Sequence, residues 1–304
     1  MYKQTLRPLI FGEVLFDVFP DKEILGGAPF NVAWNLKGFG LNPLFVSRVG
    51  KDERGHKIKT AMEGFGLDCS GLQMDEEFQT GMVKIELKGK SHTFNILPEQ
   101  AYDFINKEEA LKCVETEDLA LLYHGSLISR GKVSKCTLEY IKKTIHPPVF
   151  VDVNLRPPWS RPEDFKEYSG NARWMKINND ELFEITGKKA SDLTWLKETA
   201  LSYMKDVSLQ TLFLTLGEQG SLIIDGKNIY EGAGKRVSVN NIVDTVGAGD
   251  AYSSVVIMGI LSQWSFQTII ERSEEFASAV CCMRGATTTD KRFYQDFLSK
   301  WKVI

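Results

Sequence analysis

Short apolar runs alternate along the chain with longer stretches in which apolar residues recur every three or four positions. The short runs are typical of buried strands and the longer stretches of amphipathic helices. This pattern predicts strands at Leu9–Phe16, Leu44–Val49, Leu119–Tyr123, Val149–Val153, Trp174–Ile177 and Gln210–Leu216. It predicts helices at Phe30–Gly38, Glu53–Phe65, Lys132–Thr144, Asp180–Thr186, Leu193–Met204 and over most of Ala248–Lys300, with a loop at Gly285–Thr289. Such alternation favours an α/β fold with a mostly parallel sheet covered on both faces.

One segment departs from this rhythm. Thr80–Leu97 alternates apolar and polar residues around Lys88-Gly89-Lys90, which predicts an antiparallel hairpin. The hairpin is either an edge of the main sheet or a small sheet that covers the active site as a lid, and Phe16–Leu25 would then add a strand. On a lid, apolar positions such as Val83 and Ile85 would be exposed and could pair with a second copy, so a homodimer through the lid is predicted.

Composition narrows the class of protein. The 304 residues contain 37 Lys and Arg against 40 Asp and Glu, a net charge of -3, which argues against a general binder of nucleic acid or membrane surfaces. No apolar run approaches the ~18 residues of a membrane span, and the five cysteines form no C-x-x-C pair. We therefore expect a cytoplasmic protein without disulfides, and, since no linker divides the chain, a single domain over residues 1–304.

The strongest motif is Asp244-Thr245-Val246-Gly247-Ala248-Gly249-Asp250, which precedes a predicted helix. Gly247, Ala248 and Gly249 would let backbone N–H groups converge at a helix N-terminus, an arrangement that binds phosphate. Asp250 would lie beside that anion. It is either an ordinary acidic residue in the first turn or a base that takes the proton from an attacking hydroxyl.

Three other candidates would contact a polyol. Gly26-Gly27 precedes Pro29 and an apolar helix, which permits a close approach of backbone to ligand, and Asn31 can both donate and accept hydrogen bonds. Asp17 and Arg156 each follow a predicted strand, at the edge where open α/β sheets bind ligands. The alternatives are an ordinary strand-to-helix turn and exposed loop charges.

Two more segments could contact a nucleotide. Asn178-Asn179-Asp180-Glu181 is either a helix cap or a pair, Asn178 and Glu181, that orients water on a magnesium–nucleotide complex. Thr215–Gly220, with Gly217 and Gly220, is either a phosphate-contacting loop or a plain hairpin turn. The sequence contains no G-x-x-x-x-G-K-[ST], no G-x-G-x-x-G after the first strand, no H-E-x-x-H and no G-x-S-x-G. These absences disfavour P-loop kinases, dinucleotide dehydrogenases, His-based metal sites and α/β hydrolases.

Over nearly its whole length the chain resembles the ribokinase-like (PfkB) carbohydrate kinase family. Asp244–Asp250 matches the family signature D-T-x-G-A-G-D, Gly26-Gly27 with Asn31 fits the first signature, and Asn178–Glu181 matches N-x-x-E. Further strings are similar to bacterial fructokinases; they are Gly26–Ala33, Gln100–Ile105, His124–Leu127 and Asp152–Pro158.

The resemblance implies a three-layer α/β/α domain with a small β-sheet lid, and transfer of a phosphoryl group from magnesium–ATP to a sugar hydroxyl. It implies that Asp250 is the catalytic base and that Gly247, Ala248 and Gly249 form the anion hole. The positions that match the sugar site are Asp17, Gly27, Asn31 and Arg156. Those in the nucleotide and metal region are Asn178, Glu181, Thr215, Gly217 and Gly220, and Asp244 matches an acid that in many members helps to bind potassium.

Fructose is the substrate that the resemblance favours. The alternatives are 2-keto-3-deoxygluconate, another sugar or a nucleoside, and, from a different class, a catalytically silent sugar-binding regulator. Two residues depart from the family pattern: Phe30 replaces a small residue, which would narrow the sugar side, and Tyr252 replaces the usual Phe after the base.

Overall fold

A computed structural model describes residues 7–88, 91–159, 169–188, 192–234 and 242–303, with the side chains of all of these except 86–88 and 91–94. Nine strands form the main sheet: β1 Arg7–Phe11, β4 Leu44–Gly50, β5 Leu72–Asp75, β8 Leu119–Gly125, β9 Val149–Asp152, β10 Ala172–Asn178, β11 Thr211–Thr215, β12 Ser221–Asp225 and β13 Asn228–Glu231. Their order is β13–β12–β11–β10–β9–β8–β1–β4–β5. All neighbours are parallel except β11 with β12 and β12 with β13.

Helices cover both faces of this sheet. They are α1 Ala28–Gly38, α2 Glu53–Phe65, α3 Lys107–Val114, α4 Lys132–Ile145, α5 Asn179–Thr186, α6 Leu193–Asp206, α7 Ala248–Leu261, α8 Phe266–Val280 and α9 Lys291–Lys300. Successive residues of β1 face opposite sides: Leu9 and Phe11 join a core that includes α3–α6, and Ile10 joins a core that includes α1, α2 and α7–α9. The three-layer α/β/α prediction is confirmed.

A second, four-stranded sheet contains β2 Leu15–Val18, β3 Glu23–Gly26, β6 Gly81–Lys88 and β7 Ser91–Ile96, in the order β3–β2–β6–β7. The hairpin predicted at Thr80–Leu97 forms β6 and β7, and Phe16–Leu25 contributes to β2 and β3. The prediction of exposed apolar positions is wrong, because Val83 and Ile85 are only 5% and 4% exposed and pack in the core. Val83 and Ile85 therefore offer no exposed apolar surface through which a second copy could pair.

The predicted first strand, Leu9–Phe16, is wrong as one element. The chain leaves the main sheet after Phe11 and enters the small sheet at Leu15. Gly12 lies at this break, and a Cβ there would lie 2.4 Å from Cγ of Pro29, so only glycine lets the start of α1 pack so closely. The break places Glu13 in the connection between the two sheets and Asp17 in the first strand of the small sheet.

Other differences are confined to short elements. The sequence pattern did not predict β5, β12, β13 or α3, and α1 begins at Ala28 rather than Phe30. The predicted loop at Gly285–Thr289 lies between α8 and α9. Among the described helices, none has the length and apolar character that a bilayer crossing requires.

Candidate active site

Polar side chains gather at the carboxyl ends of the central strands and at the N-terminus of α7. Glu13 follows β1, Asp152 ends β9, Asn178 ends β10, and Asp250 lies in the first turn of α7. Parallel strands bring their carboxyl ends to one edge of the sheet, which is where ligands bind in open α/β folds.

The turn before α7 requires glycine. Gly247 is the N-cap with φ +82, and a Cβ there would lie 2.2 Å from Cβ of Ala286 in the loop between α8 and α9. The carboxylate of Asp244 joins the same two segments, because it accepts the N–H of Val246 at 3.0 Å and that of Gly285 at 3.4 Å. The N–H groups of the first turn have no intrahelical acceptor and carry the positive end of the helix dipole, so the turn can bind an anion.

Asp250 and Asn31 meet although 219 residues separate them in sequence. Nδ2 of Asn31 donates to Oδ2 of Asp250 at 2.8 Å. Burial raises the pKa of Asp250 to about 6, while the hydrogen bond from Asn31 opposes that rise. Gly27, the N-cap of α1 at φ +110, sets the approach of this helix, because a Cβ there would lie 2.7 Å from the carbonyl oxygen of Glu13. A carboxylate with this pKa is ionised at neutral pH and can still accept a proton.

Asp17 and Arg156 belong to the same electrostatic neighbourhood. Burial raises the pKa of Asp17 to about 6, the charge of Arg156 lowers it, and the charge of Asp244 raises it. Arg156 also lowers the pKa of Asp250. The side chain of Arg156 is exposed at the end of the β9 segment, whereas Asp17 is half-buried in β2. The charge of Arg156 thus acts on both Asp17 and Asp250, and that of Asp244 acts on Asp17.

Asn178 and Glu181 form a helix cap. Oδ1 of Asn178 accepts the N–H of Glu181 and Oε2 of Glu181 accepts the N–H of Asn178, both at 2.8 Å. The second oxygen of Glu181 accepts the N–H of Leu155 at 3.1 Å, and burial raises the pKa of this carboxyl group. The capping interpretation is therefore observed, and it also fixes a carboxylate between the ends of β9 and β10.

The described residues fit a magnesium ion that is held mainly by phosphate and water, with few protein ligands. They contain no group of three or more His, Cys, Asp or Glu side chains arranged to hold a metal. Magnesium in nucleotide sites usually keeps several waters and is held mainly by the phosphates with one or two carboxylates. Glu181 suits that arrangement, since its oxygens retain further lone pairs for water.

Thr215, Gly217 and Gly220 lie at the turn between β11 and β12. Gly220 has φ +95, and a Cβ there would lie 2.6 Å from the N–H nitrogen of Gly234. This turn is connected to α7, because the hydroxyl of Tyr252 donates to Oγ of Ser221 at 3.0 Å. The departure at Tyr252 thus gives a hydrogen bond that phenylalanine could not make. The described hydrogen bonds do not connect Thr215, Gly217 or Gly220 to Asp250.

The prediction for Phe30 is wrong. Its ring is fully buried and packs against Trp34 and Phe45, with ring centroids 5.4 and 5.9 Å away. The side chain points into the core beneath α1, so it does not narrow a sugar pocket.

Two sets of polar residues near the site were not predicted from the sequence. One is a buried network in which Asp152 accepts hydrogen bonds from Lys176, Ser253 and Tyr123. The other is Glu13, which is 3% exposed and whose pKa burial raises to about 7. The available signal was a lone charged residue within or just after an apolar strand, as in the string WMKI of β10.

A family model described as pfkB family carbohydrate kinase matches residues 5–292. This match covers most of the chain, which therefore belongs to the pfkB family of carbohydrate kinases, as the fold also indicates.

Fructokinase-2 of Solanum lycopersicum is 26% identical over 305 residues, covering 93% of this chain and 90% of that protein. The crystal structure of fructokinase from Vibrio cholerae, with fructose, ADP and calcium bound, has a TM-score of 0.78 at 23% identity and covers 96% of this chain and 99% of that one. The crystal structure of 2-dehydro-3-deoxygluconokinase from Thermotoga maritima has a TM-score of 0.77 at 16% identity and covers 97% of this chain and 99% of that one. The similarity thus extends over kinases of different sugars.

Proposed function

We propose that the protein is a fructokinase that transfers the γ-phosphoryl group of ATP to D-fructose and forms fructose 6-phosphate. The observation that carries the proposal is the contact of Asn31 with Asp250 beside the Gly247–Gly249 turn. It places a hydrogen-bonded carboxylate and a set of helix N-terminal N–H groups next to each other, and phosphoryl transfer requires both a proton acceptor and an anion site.

The proposed mechanism assigns one task to each group. Asn31 and Asp17 bind and orient the sugar, so that its reacting hydroxyl donates a hydrogen bond to Asp250. The hydroxyl oxygen forms the bond to phosphorus, the bond from phosphorus to the bridging oxygen of ADP breaks, and the proton passes to Asp250. The N–H groups of Gly247, Ala248 and Gly249 stabilise negative charge on the transferred group, and the turn that carries them is already formed. The N–H of Ala248 also donates to the carbonyl of Thr245 at 3.3 Å, so it would be shared between that carbonyl and the anion.

The nucleotide and metal assignments remain part of the proposal. Asn178, Thr215, Gly217 and Gly220 would contact ATP, and Glu181 would hold magnesium through water. Bound magnesium neutralises phosphate charge and supports the in-line geometry of transfer. Asp244 would take part in a potassium site near the loop at Gly285–Thr289.

The proposal also covers the domain organisation and the role of the small sheet. Residues 1–304 form one kinase domain, and the small sheet serves as its lid. A lid that excludes water favours transfer to the sugar over hydrolysis of ATP. Trp159, whose Nε1 donates to the carbonyl of Ile96 at 3.1 Å, would connect the lid to the segment after β9.

The charge of the site supports a neutral sugar. Arg156 lowers the pKa values of Glu13, Asp17 and Asp250, while Arg130 also lowers that of Glu13 and Lys176 that of Asp250. Lys176 forms an ion pair with Asp152 at 2.7 Å, and Arg130 forms one with Asp103 at 2.8 Å. A region in which carboxylates outnumber cations repels a sugar acid and accepts hydrogen bonds from hydroxyl groups.

The second candidate is a kinase for 2-keto-3-deoxygluconate. Arg156 supports it, since an arginine at this edge could bind the carboxylate of that substrate with two hydrogen bonds. A catalytically silent sugar binder is disfavoured, because a buried carboxylate at the anion-binding turn serves no purpose in a protein that only binds sugar.

The test is an assay of ADP release by the purified protein with ATP and magnesium, with and without fructose. Phosphoglucose isomerase and glucose 6-phosphate dehydrogenase would report fructose 6-phosphate in the same mixture. We expect ADP and fructose 6-phosphate in equal amounts, and neither above background in Asp250→Asn. A wild-type protein that binds fructose but releases no ADP would instead be the silent binder.

A further inference from the structure

A buried ion pair lies beneath the candidate site and has no task in the mechanism above. Lys176, in the middle of the apolar strand β10, donates to Oδ1 of Asp152 at 2.7 Å. The two side chains are 8% and 3% exposed. Buried ion pairs contribute little to stability compared with apolar residues of the same size, because both charges lose their hydration. Stability is therefore a weak explanation for charges at these two positions.

Asp152 connects this pair to the helix that carries Asp250. Its second oxygen accepts the hydroxyl of Ser253 at 2.6 Å and that of Tyr123 at 3.0 Å. Ser253 lies three residues after Asp250, on the same face of α7. The carboxylate thus fixes the first turns of α7 to β8, β9 and β10 at once.

The ammonium group of Lys176 lies against the anion-binding turn itself. A Cβ on Gly249 would lie 3.2 Å from Nζ of Lys176, closer than an ordinary contact. Gly249 has no positive φ, so the backbone does not require glycine there, and alanine would be the better helix former. The missing side chain leaves room for the ammonium group. The charged groups that act on it are Asp152, Glu181 and Asp250.

We propose that Lys176 is a positioning residue for phosphoryl transfer: held by Asp152, it places a positive charge under the Gly247–Gly249 turn and aligns that turn with the transferred group. The inference rests on the proposed function, since it assumes that the turn receives a phosphoryl group. A charge behind backbone N–H groups strengthens their interaction with an anion in a poorly hydrated site. The charge accelerates transfer to the extent that it interacts more strongly with the transition state than with bound ATP.

The test compares the binding of ADP with that of ADP plus aluminium fluoride, a mimic of the transferred phosphoryl group, by calorimetry in magnesium buffer. Transition-state analogues bind at least ~10²-fold more tightly than ground-state ligands, so we expect such a gain in the wild type. In Lys176→Met we expect the affinity for ADP to stay within about threefold of wild type. The increase in affinity on adding aluminium fluoride should be about 10- to 100-fold smaller than in the wild type. This effect is somewhat less than that of removing a direct oxyanion donor. Sugar turnover should fall by a similar factor in kcat, with little change in KM.

Two further variants separate this effect from a loss of folding. Arg7→Met breaks the ion pairs of Arg7 with Asp68 and Glu117 at the opposite end of β1, so it should lower the melting temperature and leave the fluoride gain unchanged. The double variant Lys176→Met with Asp152→Asn removes the buried pair without leaving an unpaired charge. It should recover much of the stability of wild type and still lack the gain.

The outcomes are distinct. A double variant that regains the fluoride-dependent affinity would show that Lys176 only neutralises Asp152, and the inference would be wrong. It would also be wrong if Lys176→Met kept the full gain, or if the wild type showed none. Failure of the proposed function would be seen separately, as a wild-type protein that shows the fluoride gain but releases no ADP with any sugar.

Discussion

The side-chain amide of Asn31 donates to Oδ2 of Asp250 at 2.8 Å and stabilises the ionised carboxylate. Replacing Asn31 with alanine removes this hydrogen bond. Asp250 must be ionised to accept the proton of the sugar hydroxyl. Activity is therefore present above its pKa and is lost as the pH falls through it. Without Asn31 the carboxylate remains buried and loses a compensating hydrogen bond, so its pKa rises and activity is lost at a higher pH.

The size of the shift follows from the strength of the bond. A hydrogen bond to a charged group contributes about 1.5–3 kcal/mol, and one pKa unit corresponds to about 1.36 kcal/mol. Starting from a pKa of about 6, the loss of Asn31 should raise the pKa of Asp250 by about one to two units. The ionised fraction at pH 7 would fall from about nine tenths to between about one half and one tenth.

The assay is the pH dependence of kcat/KM for the sugar between pH 5 and 9, which reports groups of the free enzyme. Weaker sugar binding by Asn31→Ala lowers the whole profile, whereas the pKa change moves its acidic limb. Asn35→Ala is the matched control, because Asn35 lies one turn further along α1 and accepts a hydrogen bond from Tyr294, not from the site. An acidic limb that stays in place in Asn31→Ala would refute Asp250 as the base that this bond tunes.

Three other substitutions test the site. Asp250→Asn should lower kcat by at least ~10²-fold with little change in sugar KM. The same variant should raise the free energy of unfolding at pH 7 by up to about 3 kcal/mol, because the raised pKa of Asp250 means that ionisation of this group destabilises the folded state. Thermal melting measures this change, and a lower melting temperature would contradict it. Asp17→Ala should raise sugar KM by about 10- to 150-fold, the equivalent of a hydrogen bond to a charged group, and leave the KM of ATP within a few fold. Arg156→Ala should lower kcat/KM for fructose by a similar factor, and a change below twofold would place Arg156 outside the sugar site.

The layers of the fold could be predicted from the sequence, because buried strands and amphipathic helices leave strong periodic signals. The break in Leu9–Phe16 could not, since it depends on the contact of Gly12 with Pro29 rather than on local pattern. The prediction that Val83 and Ile85 are exposed was also wrong. Alternation of apolar and polar residues shows which side chains share one face of a strand, but not which part of the protein covers that face.

The candidate site was predictable to a similar extent. Asp250 and Asn31 were found separately through their motifs, and only the fold shows that they share a hydrogen bond. Lys176 was missed because a single charged residue in an apolar strand gives no sign of its partner Asp152, 24 residues earlier. Phe30 was misplaced because a departure from the family pattern at one position does not show which face of α1 that side chain occupies.

The central claim is a kinase that phosphorylates a neutral sugar, and kcat/KM measured across one panel tests it most directly. The panel contains fructose, ribose, glucose, 2-keto-3-deoxygluconate and adenosine, each with saturating magnesium–ATP. Because carboxylates surround the site, we predict that fructose gives the highest kcat/KM and the sugar acid a value at least tenfold lower. A panel in which 2-keto-3-deoxygluconate exceeds fructose by tenfold or more would contradict the account of the substrate.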